Sequence, residues 1–383
     1  MKKFLFPLLI CFVAFTACSN DDENEYIDIV TDNSTNDTTN DIIIESNILD
    51  LPGIPFNYAN IELPNSFLNN GVLNEDNTPN NNPITDHGAT LGRVLFYDTN
   101  LSKNNTISCA SCHKQSNGFS DPSRFSTGFE GGLTARNSMG LANARFYENG
   151  RFFWDERAES LEEQTLMPVQ DLVEMGLTLT ELEDKLSQED HYTSLFINAF
   201  GDETITSERV ALALSQFIRS MVSYESKFDE GLAQVNNIEN DFPNFTASEN
   251  RGKALFISNR TRCFECHNTN VFVGDAPRNI GLDAIITDEG AGGGRFKVPS
   301  LRNIELTGPY MHDGRFVSLE QVIEHYNSRV QNNPNLDNRL RQGNGVRRLN
   351  LTNDEKQSLV DFLLTLTDNN FVNDEKYGDP FIQ

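Results

Sequence analysis

Two short stretches, Cys109-Ala-Ser-Cys112-His113 and Cys263-Phe-Glu-Cys266-His267, hold the residues best suited to chemistry. Each is a C-x-x-C-H, the spacing at which two thiols form thioethers with haem vinyl groups and the adjacent imidazole takes the iron. One copy alone would equally suit a structural zinc or a redox-active CxxC. Two copies among six cysteines, each followed directly by His, favour haem. Cys109, Cys112, Cys263 and Cys266 are then the attachment points, and His113 and His267 the proximal iron ligands. The chain is expected to bind two covalent haem c groups, and its chemistry is redox chemistry.

The remaining cysteines, Cys11 and Cys18, lie near the N-terminus, where Lys2 and Lys3 precede the apolar run Phe4–Phe15. That run reads as a secretory signal and is too short for a membrane span. Phe15-Thr16-Ala17-Cys18 resembles a bacterial lipoprotein processing site, with residues 1–17 removed and Cys18 lipidated. An ordinary signal peptide with an incidental cysteine is the blander reading. Covalent haem attachment follows export, so the expected location is the periplasm or outer membrane of a Gram-negative bacterium, with the membrane reached only through the lipid.

The formal charge of −26 argues against nucleic acid or an anionic membrane as electrostatic partner. A basic electron-donor protein would be steered towards such a chain, although solubility alone would also account for the charge.

Several elements must position these motifs. Residues 18–50 are rich in Asn, Asp, Thr and Ser, too polar to fold alone, and read as a tether. Residues 51–85 read as an extended arm lying on the domain. Beyond it, two halves repeat the same order of features. Leu91-Gly-Arg-Val-Leu-Phe96 precedes the first haem motif and Arg251-Gly-Lys-Ala-Leu-Phe256 the second. Asn149-Gly-Arg-Phe152 with Ser160-Leu-Glu162 matches Asp313-Gly-Arg-Phe316 with Ser318-Leu-Glu320. The expected fold is mainly α: two cytochrome c-like haem domains, 86–240 and 241–370, related by internal duplication, then a tail, 371–383. Helices are expected over Leu179–Phe200, Glu208–Phe228 and Asp354–Leu366, the last capped by Thr352. No run reads as a strand. Gly-rich Thr287–Gly294 lacks the Lys and Ser/Thr of a phosphate loop.

Function depends on the sixth position of each iron: filled, a haem passes electrons; open, it binds peroxide or O₂. The repeat offers a comparison. Seven residues after Leu319 comes Tyr326, and seven after Leu161 comes Pro168. A phenolate ligates ferric iron and a proline does not. His325, Met167, Met311, His312 and Met139 are competing ligands on residue type alone.

The chain resembles the bacterial di-haem cytochrome c peroxidase family, and within it the MauG-type branch, over roughly residues 86–370. The resemblance rests on the stretch Leu91–Ser102, on Phe153-Trp-Asp-Glu-Arg-Ala158, and on Pro168-Val-Gln-Asp-Leu-Val-Glu-Met175. It continues through Phe296-Lys-Val-Pro-Ser-Leu-Arg-Asn303 and Leu306-Thr-Gly-Pro-Tyr-Met-His-Asp-Gly314. Typical members cap the peroxidatic haem with a His after the first motif. Here Phe129 stands in that stretch, and no His occurs from Lys114 to Asp190. The family's usual Met at the second haem aligns with Tyr326, as in MauG.

The resemblance implies roles for further residues. Glu174 matches the distal carboxylate that carries a proton during O–O cleavage, and Gln164 a distal amide that hydrogen-bonds the oxygens. Trp154, the only tryptophan, matches one that assists electron transfer between haems. Asn137, Thr307 and Pro309 match an interdomain Ca²⁺ site, the first through its side chain and the others through carbonyls. The expected activity is reduction of H₂O₂ to water at the N-terminal peroxidatic haem. Electrons would come from a small c-type cytochrome or cupredoxin through the C-terminal haem, in a monomer or homodimer. A MauG-like oxidase modifying residues of a protein substrate is the rival enzyme, and a di-haem electron carrier the non-enzymatic alternative.

Overall fold

A computed structural model of the chain describes residues 46–68 and 71–382. Cys11, Cys18 and the signal segment lie outside these residues, as does most of the tether. No helix among the described residues is long and apolar enough to cross a membrane.

Each half is organised on a pair of crossed helices. In the first, Asp86–Tyr97 begins at Thr85, whose hydroxyl accepts the Gly88 N–H at 3.0 Å. It crosses Ser207–Ser220 at Gly92, where a Cβ would overlap the Ala213 carbonyl oxygen and lie 2.8 Å from Phe217 Cβ. In the second, Ala247–Ile257 crosses Asn353–Leu364 at Gly252. There a Cβ would overlap the Ser358 carbonyl oxygen and lie 2.8 Å from Phe362 Cβ. Glycine is required at both because the backbones touch. Capping boxes, Thr246 with Glu249 and Thr352 with Glu355, fix the starts of the second pair.

Two expected long helices are broken. Leu179–Leu186 ends where Gln188 and Glu189 turn back to the Lys185 and Leu186 carbonyls, and Asp190–Phe200 follows. Ser187-Gln-Glu189 offers no apolar side chain to bury, so nothing favours continuing the helix there. The second break follows Ser220. Asp368 accepts the Ser223 hydroxyl and the N–H groups of Tyr224 and Glu225, holding that strand of chain extended before Lys227–Leu232. The third expectation holds to within two residues. A two-residue hairpin, Arg341–Gln342 with Gly345–Val346, is the sheet found among the described residues.

Aromatic rings pack edge to face or tilted in both cores. Phe96 meets Phe217 and Phe119 at 5.4 and 6.1 Å in the first. Phe228, Phe256, Phe272 and Phe362 form the second, with centroids 5.0 Å apart for Phe228–Phe272 and 5.2 Å for Phe256–Phe362. The segment expected as a tail packs inward: Phe371, Val372 and Tyr377 join the first core, and the Tyr377 hydroxyl donates to the Ser220 carbonyl at 2.6 Å. The arm is anchored by it, because the buried Tyr58 donates to the Lys376 carbonyl. A buried ion pair, Arg302 with Asp229, ties Arg302 to the helix Lys227–Leu232, and its guanidinium also reaches the Asn270 carbonyl.

Candidate haem centres

Both C-x-x-C-H motifs form a single tight turn. Cys109–Cys112 is capped by reciprocal bonds of Ser108 and Ser111, and the His113 N–H donates to the Cys109 carbonyl at 3.0 Å. In the second motif the Cys266 and His267 N–H groups both donate to the Cys263 carbonyl, at 3.1 and 2.9 Å.

The imidazoles are oriented alike. His113 Nδ1 lies 2.8 Å from the Phe119 carbonyl and His267 Nδ1 3.2 Å from that of Phe272. Phe119 (φ 59°) and Phe272 (φ 53°) both adopt the left-handed conformation. A carbonyl accepts only, so Nδ1 donates and Nε2 keeps the lone pair a metal needs. Burial pushes both imidazoles down, His267 to about 4, so they stay neutral. Burial pushes the thiols up, Cys109 to about 12 and Cys263 and Cys266 to about 11. Two cysteines and an imidazole held within one turn suit thioether attachment and proximal ligation of haem.

Around the second motif lies an apolar cavity whose wall includes Cys263, Cys266, His267 and Tyr326. Tyr326 sits on a π-helical turn, His325–Arg329, which follows helix Leu319–Glu324. Its hydroxyl is held well above its usual pKa by burial, with further contributions from Cys266 and Cys263. His325 is not part of this wall; its Nε2 lies 3.0 Å from the Ile280 carbonyl. Met311, Met139 and His312 do border the cavity, and the His312 ring stacks on Phe296 at 3.6 Å.

At the first motif, Glu174 is close enough for its charge to raise the pKa of both Cys109 and Cys112. Its carboxyl is itself raised, first by burial and then by Asp171, with Arg157 opposing. Asp171 Oδ1 accepts the N–H groups of Val173 and Glu174 at 2.8 and 3.1 Å, shaping the turn that presents the carboxyl. Phe129 backs the same turn: its N–H donates to the Glu174 carbonyl, and its ring lies where a Cβ at Gly176 would project. Gln164, Met167 and Pro168 lie half-buried on helix Leu161–Gln170.

Trp154 borders the second cavity, and its indole N–H donates to the Asn137 carbonyl at 2.8 Å. Asn137, Thr307 and Pro309 lie in the same cavity wall. Three neighbours escaped the sequence analysis. Arg157 stacks its guanidinium 3.6 Å from the Phe153 ring centroid. Lys297, buried, donates its backbone N–H to the Trp154 carbonyl and holds its side-chain nitrogen 2.8 Å from the ring centre of Tyr147, whose hydroxyl bonds Glu156. Arg157, Glu156 and Lys297 fall inside the quoted motifs, but their facing only emerges in three dimensions.

Comparison with known proteins fits this geometry. Residues 86–237 match the family model for di-haem cytochrome c peroxidase. The methylamine utilization protein MauG of Methylophilus methylotrophus is 33% identical over 299 residues, 75% of this chain and 84% of that protein. Cytochrome c551 peroxidase of Nitrosomonas europaea is 33% identical over 291 residues, 73% and 79% of the two chains. A crystal structure of a MauG-like protein associated with microbial copper homeostasis is 31% identical with a TM-score of 0.71, covering 84% of this chain and 99% of that one. With paired C-x-x-C-H turns on a helical frame and relatives of this extent, the chain belongs to the di-haem cytochrome c peroxidase family.

Proposed function

We propose that the protein is an exported di-haem peroxidase that reduces H₂O₂ to water at the His113 centre, with electrons supplied through the His267 centre. The observation that carries this reading is Glu174, a half-buried carboxyl beside the Cys109–Cys112 turn whose pKa desolvation raises. The comparable capping positions, Phe129 and Pro168, offer no iron ligand.

When bound, haem supplies one-electron chemistry, and an iron with an open sixth position supplies a peroxide site. Glu174 takes a proton from one peroxide oxygen and returns it to the other, and the Gln164 amide orients the oxygens. The Asn137 carbonyl holds the Trp154 indole in the wall of the second cavity, and Trp154 is the residue proposed to assist electron transfer between the centres. The Tyr326 hydroxyl, in the wall of the second cavity, would supply the oxygen that closes the second centre. Each peroxide consumes two electrons and two protons and gives two waters. Asn137, with the carbonyls of Thr307 and Pro309, is the proposed Ca²⁺ site.

The two halves, 86–240 and 241–370, are read as a duplicated mono-haem module. The glycines at the two helix crossings and the matched His-to-carbonyl bonds support this. Cys18 is the proposed lipid attachment point. A MauG-like oxidase acting on a protein substrate is the second reading, favoured by Tyr326 in the second cavity and by the 33% identity to MauG.

The test begins with intact-mass measurement of protein matured with a haem-attachment system, where two covalent haems are expected. Steady-state H₂O₂ turnover with a small reduced cytochrome or cupredoxin is then compared with modification of a candidate protein substrate. Turnover with the redox donor supports the peroxidase. Modification without it supports the oxidase, and neither activity leaves an electron carrier.

A further inference from the structure

We infer that the arginine-rich face beside the second centre is the docking surface for an acidic redox protein. This deepens the peroxidase reading and rests on it. The net charge of −26 suggests a basic donor, but charge is not evenly spread. Residues 325–353 contain Arg329, Arg339, Arg341, Arg347 and Arg348 with a single carboxylate, Asp337. Asp337 is already shared between Arg339 and Arg278.

This face adjoins the haem-attachment turn. Arg339, Leu340 and Leu349 border the second cavity, and Arg339 Nε lies 3.7 Å from Glu265, inside the C-x-x-C-H. Arg347 donates to the carbonyls of Asn259 and Arg260, just before Cys263. Arg348 donates to those of Ser328 and Val330, just after Tyr326. Arg341 donates to those of Leu336 and Asn333. Backbone carbonyls orient these guanidiniums without neutralising them. Arg329 and Arg348 are exposed, and between them the tip Gln342-Gly343-Asn344 is exposed and uncharged. Of the nearby carboxylates, Glu324 pairs with Lys356 and Glu355 with Arg260, while Asp354 is exposed.

A positive face on a negative molecule orients its partner. An acidic protein is repelled by the rest of the surface and attracted here, so encounters concentrate where the second centre is nearest. The surface therefore selects a small acidic cytochrome or cupredoxin over a basic one.

The test is calorimetric binding of a zinc-substituted, redox-inert acidic cupredoxin of the plastocyanin type to the holoprotein. Measurements at ionic strengths of about 0.01 and 0.15 M change the screening length from ~30 to ~8 Å. Binding should weaken with salt, and Arg329→Glu with Arg348→Glu should weaken it at least about tenfold at low salt. Arg348→Lys should retain it. If Arg348→Glu fails to fold, Arg329→Glu alone still reads the charge effect. Peroxide turnover with a small organic reductant should be unchanged in every variant, and its absence from the parent would count against the peroxidase reading instead. Equal binding by the charge-reversed protein, or preference of the parent for a basic cytochrome c, would overturn the inference. So would parent binding to phosphatidylserine vesicles or duplex DNA with none to the cupredoxin.

Discussion

His325 Nε2 lies 3.0 Å from the carbonyl oxygen of Ile280, and that bond turns the imidazole away from the cavity that the neighbouring Tyr326 borders. Two adjacent residues of one π-helical turn, both able to bind iron, are thus directed differently, the histidine by one hydrogen bond. Such turns are frequent at functional sites because they shift the direction of successive side chains.

Tyr326→Phe should therefore change the second centre alone. Electron paramagnetic resonance of the ferric holoprotein should show one high-spin and one low-spin signal, with the substitution altering only the low-spin one. His325→Ala should leave both signals in place. Two low-spin signals in the parent would instead mean that a residue such as Met167 or Met139 caps the first iron.

Glu174→Gln should keep both haems and slow peroxide cleavage by ~10²–10⁴-fold, the usual range for one proton-transfer role. The substitution also has a stability signature. Burial raises the folded-state pKa, so the parent loses stability as pH rises from the unfolded value of about 4.3 through the raised one. The variant escapes that loss. Its melting temperature relative to the parent should rise across this window, and a pH-independent difference would return Glu174 to an ordinary surface carboxylate.

Gly92→Ala and Gly252→Ala should each destabilise the protein despite a helix-propensity gain of about 1 kcal/mol. Overpacking typically costs about 1–3 kcal/mol, and both sites meet backbone that cannot move aside. Urea titration reads the effect. A stabilised variant at either position would show that the helices there are not in contact.

Arg302→Met leaves Asp229 buried without its partner and should cost about 3–5 kcal/mol. Adding Asp229→Leu should recover much of that, because the cost lies in the uncompensated charge. Denaturation midpoints that fall further in the double variant would contradict this account.

Cys18→Ser should move the protein from the membrane fraction to the soluble one and abolish acylation, measured by fractionation and mass spectrometry. Unchanged acylation would assign the lipid elsewhere, or the cysteine to a discarded segment.

Residue type and spacing alone determined the two attachment turns, the order of the repeated features and the helix start at Thr352. These depend on local geometry: two cysteines and a histidine within one turn, or a hydroxyl three residues from an N–H. Composition gave the sign of the net charge but not its distribution, because the carbonyls that orient Arg341, Arg347 and Arg348 come from other turns of the chain. Tertiary structure decided the rest. The choice between His325 and Tyr326 depends on Ile280, a residue 45 positions away in sequence. The end of the helix at Ser220 depends on Asp368, and the seating of the C-terminal segment on Tyr377 reaching Ser220. Such contacts are long-range in sequence, so no window around the residues they orient contains the cause.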